Sequence, residues 1–189
     1  MRILLLVVCI MHWEDLHAQK DTVPNRFLRP DYLNTQFAGN MGLLSIGAGF
    51  QWKSIGYDLT LLYGYVPKQF STREVHTFAL RNTFSLSKRG QNPLHTFRTH
   101  AGLGILFETG NHSSWTLPDV FPEGYYFTNS LHVSLYLGTS YAYQGWQFRK
   151  VELYAEVGTL GRYLYYFVKS PTIDAAHVFN LSTGMKFYL

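Results

Sequence analysis

From residue 41 to the C-terminus, apolar and polar residues alternate with the period of two that sends successive strand side chains to opposite faces. Leu44, Ile46, Ala48, Phe50 and Trp52 alternate with Ser45, Gly47, Gly49 and Gln51. Tyr57, Leu59, Leu61, Tyr63 and Tyr65 alternate with Asp58, Thr60, Leu62 and Gly64. The pattern recurs over 77–86, 97–108, 131–138, 151–158 and 179–189, with Ala79 and Asn82 as breaks in it. Seven strands are predicted, each with one apolar and one small or polar face. No segment of 41–189 carries a helical period, so no helix longer than two turns is expected there.

The connections between these strands alternate in length. Those at 53–56, 88–93 and 143–149 are short, and those at 67–74, 110–129 and 169–176 are longer. Short turns at one end and long loops at the other are the habit of a transmembrane barrel. Alternation alone leaves open which face points inward: a lipocalin-like carrier is apolar inside and a membrane barrel is apolar outside. Three features favour the second. The polar face carries Asp58, Arg81, Arg98, His100, Glu108, Glu152, Glu156 and Lys186, which suit a lumen where charges pair. Aromatic residues gather at strand ends, as at Phe50, Trp52, Tyr57, Tyr63 and Tyr65, where a membrane interface favours them. The chain also stops inside a strand. An even strand count requires one more crossing upstream, either an irregular first strand near 31–38 or a segment of 20–40 threaded through the lumen. The fold expected is therefore all-β: a single antiparallel up-and-down transmembrane β-barrel of eight strands.

Composition narrows the class. Aromatics make up 17% of the chain and charged residues only 15%, against about 25% charged in an ordinary soluble domain. Disorder is excluded by the aromatics. A disulfide scaffold is excluded because Cys9 is the only cysteine. Residues 1–18 read as a cleavable export signal, with Arg2, the apolar run Ile3–Met11, and Leu16 and Ala18 before the cut. Cleavage removes one basic residue of 16 and two acidic ones of 12, leaving 15 and 10, a net +5. The expected organisation is a signal at 1–18, an N-terminal periplasmic or irregular segment at 19–33, and a barrel domain at 34–189.

The last strand, Phe179-Asn180-Leu181-Ser182-Thr183-Gly184-Met185-Lys186-Phe187-Tyr188-Leu189, resembles the C-terminal targeting strand of bacterial outer-membrane barrels. Phe37-Ala38-Gly39-Asn40-Met41-Gly42 and Leu62-Tyr63-Gly64-Tyr65-Val66-Pro67-Lys68 resemble small eight-stranded members of that class with no assigned activity. The resemblance implies a monomer in the outer membrane of a Gram-negative cell, in contact with outer-membrane lipid and lipopolysaccharide.

Candidate chemistry is sparse. The inward charges Asp58, Arg81, Arg98, His100, Glu152, Glu156 and Lys186 are expected to form a pairing network, since enclosed charges must be paired. His132-x-Ser134 resembles the His-x-Ser of outer-membrane lipid A 3-O-deacylases, with Glu152 and Glu156 on the next strand as carboxylates that orient the base. The alternation turns both residues toward the lumen, against that enzymatic reading. The long loop 110–129 carries Trp115, Phe121, Tyr125, Tyr126 and Phe127, a candidate surface for an extracellular ligand. Lys53, Lys88, Arg89, Arg149 and Lys150 fall in short turns, where they suit anionic lipid headgroups. The eight histidines show no metal-ligand spacing, no cofactor motif occurs, and no basic stripe points to nucleic acid. The function expected is non-enzymatic, structural or surface-binding.

Overall fold

The computed structural model describes residues 29–72, 74–92, 94–109, 130–145, 150–169 and 174–189. Eight strands follow in order: β1 Tyr32–Ala38, β2 Leu44–Trp52, β3 Tyr57–Val66, β4 Val75–Asn92, β5 His95–Thr109, β6 Leu131–Tyr143, β7 Lys150–Leu160 and β8 Asn180–Tyr188. Each pairs antiparallel with the next, and β1 pairs with β8 to close the barrel. The first strand is regular, with Tyr32↔Tyr188 at one end of its β8 pairing and Ala38↔Ser182 at the other. It supplies the even count within the chain wall, so no lumen-threading segment is needed for it. It begins at Tyr32, inside the stretch assigned above to the N-terminal segment.

Alternation along each strand sets inside from outside. Leu44, Leu61, Leu135 and Leu181 lie on the outer surface, with Leu61 60% and Leu181 63% exposed. Asp58, Arg98 and Glu152 are buried at 0, 3 and 2% exposure. The barrel is thus apolar outside and polar within, the reverse of a lipocalin-like carrier. Burying ionised groups in a dry interior costs several kcal/mol each unless they are paired, and the paired arrangement described below meets that condition. The two breaks in the alternation also resolve. Ala79 is an interior residue at 1% exposure. Asn82 takes an outward position, where its side-chain oxygen accepts a hydrogen bond from the Tyr57 hydroxyl at 2.6 Å.

Aromatic rings cluster on the wall toward both ends. Trp52 and Tyr57 are 5.3 Å apart and Tyr57 and Phe84 5.2 Å at one end. Tyr63 and Phe78 are 5.3 Å apart at the other. The 53–56 turn lies at one end of the barrel and the longer β3–β4 connection after Val66 at the other, as the sequence predicts, and the 110–129 loop lies outside the described residues. At the long-loop end the β1–β2 link, 39–43, is nevertheless short.

One element corrects the sequence reading. Gly161–Lys169 forms a nine-residue helix, α1, about two and a half turns long, where no helix was expected. Leu164, Phe167 and Val168 stand at i, i+3 and i+4, a helical signal carried by too few residues to stand out beside the strand pattern. The helix starts where β7 ends and approaches β6 and β7 there. It leaves closure of the barrel intact. The turn residues bring further corrections: Lys150 is the first residue of β7, and Lys88 and Arg89 lie inside β4, paired with Arg98 and Phe97 of β5, so none of the three belongs to a short turn.

Candidate functional site

Sequence and register bring seven predicted charged residues into the lumen as two sets. The first set lies in the half of the barrel near the short turns. Asp58 of β3, Arg98 of β5, Glu152 of β7 and Lys186 of β8 reach it from four strands. Arg98 Nη1 donates to Asp58 Oδ2 at 2.9 Å and Nη2 to Glu152 Oε1 at 2.6 Å. Lys186 Nζ donates to the same Asp58 oxygen at 2.9 Å, and Gln51 Nε2 to Oδ1 at 2.9 Å. The Tyr188 hydroxyl donates to Glu152 Oε2 at 2.8 Å. Lys150 Nζ sits 3.5 Å from that oxygen and 3.8 Å over the Tyr188 ring, so its charge meets the network at the rim.

The second set lies toward the long-loop end. Arg81 Nη2 donates to Glu156 Oε2 at 2.7 Å and Nη1 to Gln36 Oε1 at 2.8 Å. The Arg81 guanidinium stacks 3.8 Å over the Tyr136 ring. His100 Nε2 and Glu156 Oε1 are 2.9 Å apart. Three acidic residues, Asp58, Glu152 and Glu156, therefore face three enclosed cations, Arg81, Arg98 and Lys186. Charge-assisted bonds of this length are the strong class, and they span strands far apart in sequence.

Above the charges the lumen turns apolar. Met41, Leu62, Ala79, Leu106 and Leu160 are all buried and pack as one cluster. Beneath it, between Gln36, Arg81, Ser134, Tyr136 and Glu156, the open space is about 20 Å³, close to what a single water occupies. That space has no room for an organic substrate.

The predicted His132 and Ser134 both point inward and are buried. Glu152 and Glu156, assigned above as possible carboxylate partners, are instead engaged by Arg98 and by Arg81 with His100. The carboxylate nearest His132 is Glu108, at 3.7 Å from Nε2, which exceeds hydrogen-bond range. Among the described residues that Nε2 has no hydrogen-bond partner, and the Ser134 hydroxyl donates to the Gly104 carbonyl at 3.5 Å. The strands thus align no nucleophile, base and carboxylate among these residues. Sequence reasoning drew the carboxylates from the adjacent strand by number alone; barrel stagger moves them below His132 and brings Glu108 level with it.

The candidate binding residues Trp115, Phe121, Tyr125, Tyr126 and Phe127, and the signal at 1–18, lie outside the described residues. Among the described residues no group of three or more His, Cys, Asp or Glu is arranged to hold a metal ion. No described helix is long and apolar enough to cross a membrane. Uncharged groups complete the interior: Tyr136, Tyr154 and Tyr188 fall on the polar face that the alternation predicts, and Tyr32 lies ahead of the alternating stretch. Tyr32, Tyr136, Tyr154 and Tyr188 all carry their hydroxyls inward, and Tyr32 bonds Thr60 at 2.6 Å while Tyr154 bonds Asn34 at 3.0 Å. Tyr154 and Tyr188 stand two residues from Glu152, Glu156 and Lys186, Tyr136 two from Ser134 and Tyr32 two from Asn34, and that step of two is the signal that places them. No protein-family model matches the chain, and neither a curated protein nor a solved structure matches it.

Proposed function

We propose that this chain is an exported, monomeric β-barrel of the bacterial outer membrane with a structural or surface-binding role and no catalytic one. The observation that carries the reading is the inversion of the barrel: paired charges fill the interior while Leu44, Leu61, Leu103, Leu135 and Leu181 face out. Such an exterior in water exposes far more contiguous apolar surface than soluble monomers tolerate, and hydrocarbon is the medium it matches. The aromatic clusters at both ends support the same placement. In it, lipid and lipopolysaccharide surround the wall, and the loop at 110–129 is the contact surface for an extracellular ligand.

Two comparisons test the functional half of this proposal. Lipid A mass spectrometry on cells with and without the gene separates it from the acyl-hydrolase alternative. An unchanged profile is expected, and a missing acyl chain that depends on His132 and Ser134 overturns it. Deleting 112–127 is expected to alter binding of whole cells to immobilised glycans and matrix proteins while the barrel still assembles. Unaltered binding overturns the assignment of that loop.

A further inference from the structure

The helix α1 divides into two arcs. At about 3.6 residues per turn, Tyr163, Leu164, Phe167 and Val168 share one side, and Arg162, Tyr165, Tyr166 and Lys169 share the other. Leu164 and Phe167 are half-buried, and the Phe167 ring meets Phe179 edge-on at 6.1 Å between centroids. Phe179 lies on the outward side of the wall, in step with Leu181, and is 41% exposed. The apolar arc therefore continues the apolar exterior of the barrel at its long-loop rim. It is incompletely covered: Val168 is 78% and Tyr163 39% exposed. On the other arc Arg162 and Lys169 stand two turns apart on one stripe, separated by about 10 Å along the axis. Arg162 Nη2 donates to the Tyr163 hydroxyl at 3.1 Å, and the Lys169 ammonium sits 4.6 Å over the Tyr165 ring. Arg162 is half-buried, and among the described residues its buried Nε has no hydrogen-bond partner, so its Nη atoms are the ones that reach outward.

We infer that α1 lies flat in the membrane surface at the long-loop end, with Val168 and Tyr163 in the acyl layer and the Arg162–Lys169 stripe on lipid phosphates. The inference rests on the membrane placement proposed above. A short helix with one aromatic-aliphatic arc and one basic arc is the pattern of an interfacial helix. Its continuity with the barrel exterior and its charge fix the occupant as a phosphate-bearing lipid surface. Lysine and arginine stems suit this position, because they lie along apolar surface while the cation reaches the headgroups. The helix would widen the barrel's hold on one leaflet beyond the strands themselves.

The test uses the full chain with Cys9→Ser, refolded into vesicles of phosphatidylcholine with and without phosphatidylglycerol. Single cysteines replace Tyr163, Val168, Tyr166, Lys169 or Leu135 and carry a nitroxide label. Collision with oxygen and with a water-soluble nickel complex reads depth. Labels at 163 and 168 are expected to favour oxygen, and those at 166 and 169 to favour nickel. Phosphatidylglycerol is expected to deepen the label at 168, and Arg162→Gln with Lys169→Gln to abolish that response. Equal nickel access at 168 and 169, with the label at 135 still lipid-exposed, overturns the interfacial helix alone. A label at 135 open to nickel overturns the membrane placement on which it stands. A response to phosphatidylglycerol that survives the double substitution overturns the role of the basic stripe.

Discussion

The phenol end of Tyr136 crowds Gly102 on the neighbouring strand: a Cβ added to that glycine would fall 2.3 Å from the Tyr136 Cζ and Oη and as close to the Asn82 carbonyl oxygen. The two residues are direct partners in the β5–β6 register. Tyr32 with Gly49 and Tyr154 with Gly184 repeat the arrangement, again as register partners, with 2.3 Å to the ring in each case. Three large interior rings are thus accommodated by three missing side chains across the strand, a form of aromatic cover over glycine. It lets a narrow barrel carry bulky hydrogen-bonding groups inside.

Gly102→Ala is therefore expected to destabilise the barrel by about 1–3 kcal/mol, the usual cost of overpacking. Urea unfolding of the protein in detergent micelles, followed by tyrosine and tryptophan fluorescence, measures it. Gly161→Ala is the control, since its Cβ would come no closer than 3.5 Å to a neighbour. A shift equal in both variants contradicts the pairing of Tyr136 with Gly102.

Arg98→Gln strands Asp58 and Glu152 without their shared guanidinium. The expected cost is about 3–5 kcal/mol, as for a buried pair broken from one side. Combining it with Glu152→Gln is expected to cost less than the two single losses together, with a coupling of about 0.5–3 kcal/mol. The same unfolding assay gives all four corners of the cycle. Additive losses contradict a direct pair between Arg98 and Glu152.

The pattern of residues shows which parts of this structure a sequence can carry. Alternation in β2, β3 and β6 fixes both the strands and their inner faces, because a one-residue slip would turn Leu44, Leu61 and Leu135 inward. The inner face then identifies Asp58, Arg98, Glu152 and Lys186 as neighbours in a lumen. Which of them pair depends on stagger between strands, a property of closure that no local window contains. Glu156 illustrates this, since it meets Arg81 across the barrel and not His132 on the adjoining strand. The helix α1 escaped for a different reason. Nine residues give little room for a helical period, and its aromatic composition matches that of the strands.

The interior also predicts electrical silence. Ion-paired side chains fill the lower lumen, and Met41, Leu62, Leu106 and Leu160 close it above them. Reconstituted in planar bilayers, the protein is expected to show no discrete conductance steps. Stepwise currents that vanish when the chain is omitted contradict the filled lumen.

His132→Ala and Ser134→Ala are expected to leave the lipid A profile unchanged, singly and together, because neither side chain meets a catalytic partner among the described residues. Each is buried in the wall, so a modest loss of stability of about 1 kcal/mol is expected instead. Mass spectrometry of lipid A from cells expressing each variant reads the first outcome, and detergent unfolding the second. A change in acylation confined to the variants contradicts the non-enzymatic reading.

The most direct test of the membrane placement is labelling of single cysteines on intact cells. In a Cys9→Ser background, Lys68→Cys marks the long-loop end and Lys53→Cys the short-turn end. A membrane-impermeant maleimide is expected to label position 68 on whole cells, and position 53 only after the outer membrane is permeabilised. Labelling of position 53 on intact cells, or recovery of the protein in the soluble fraction with both positions reactive, contradicts the account.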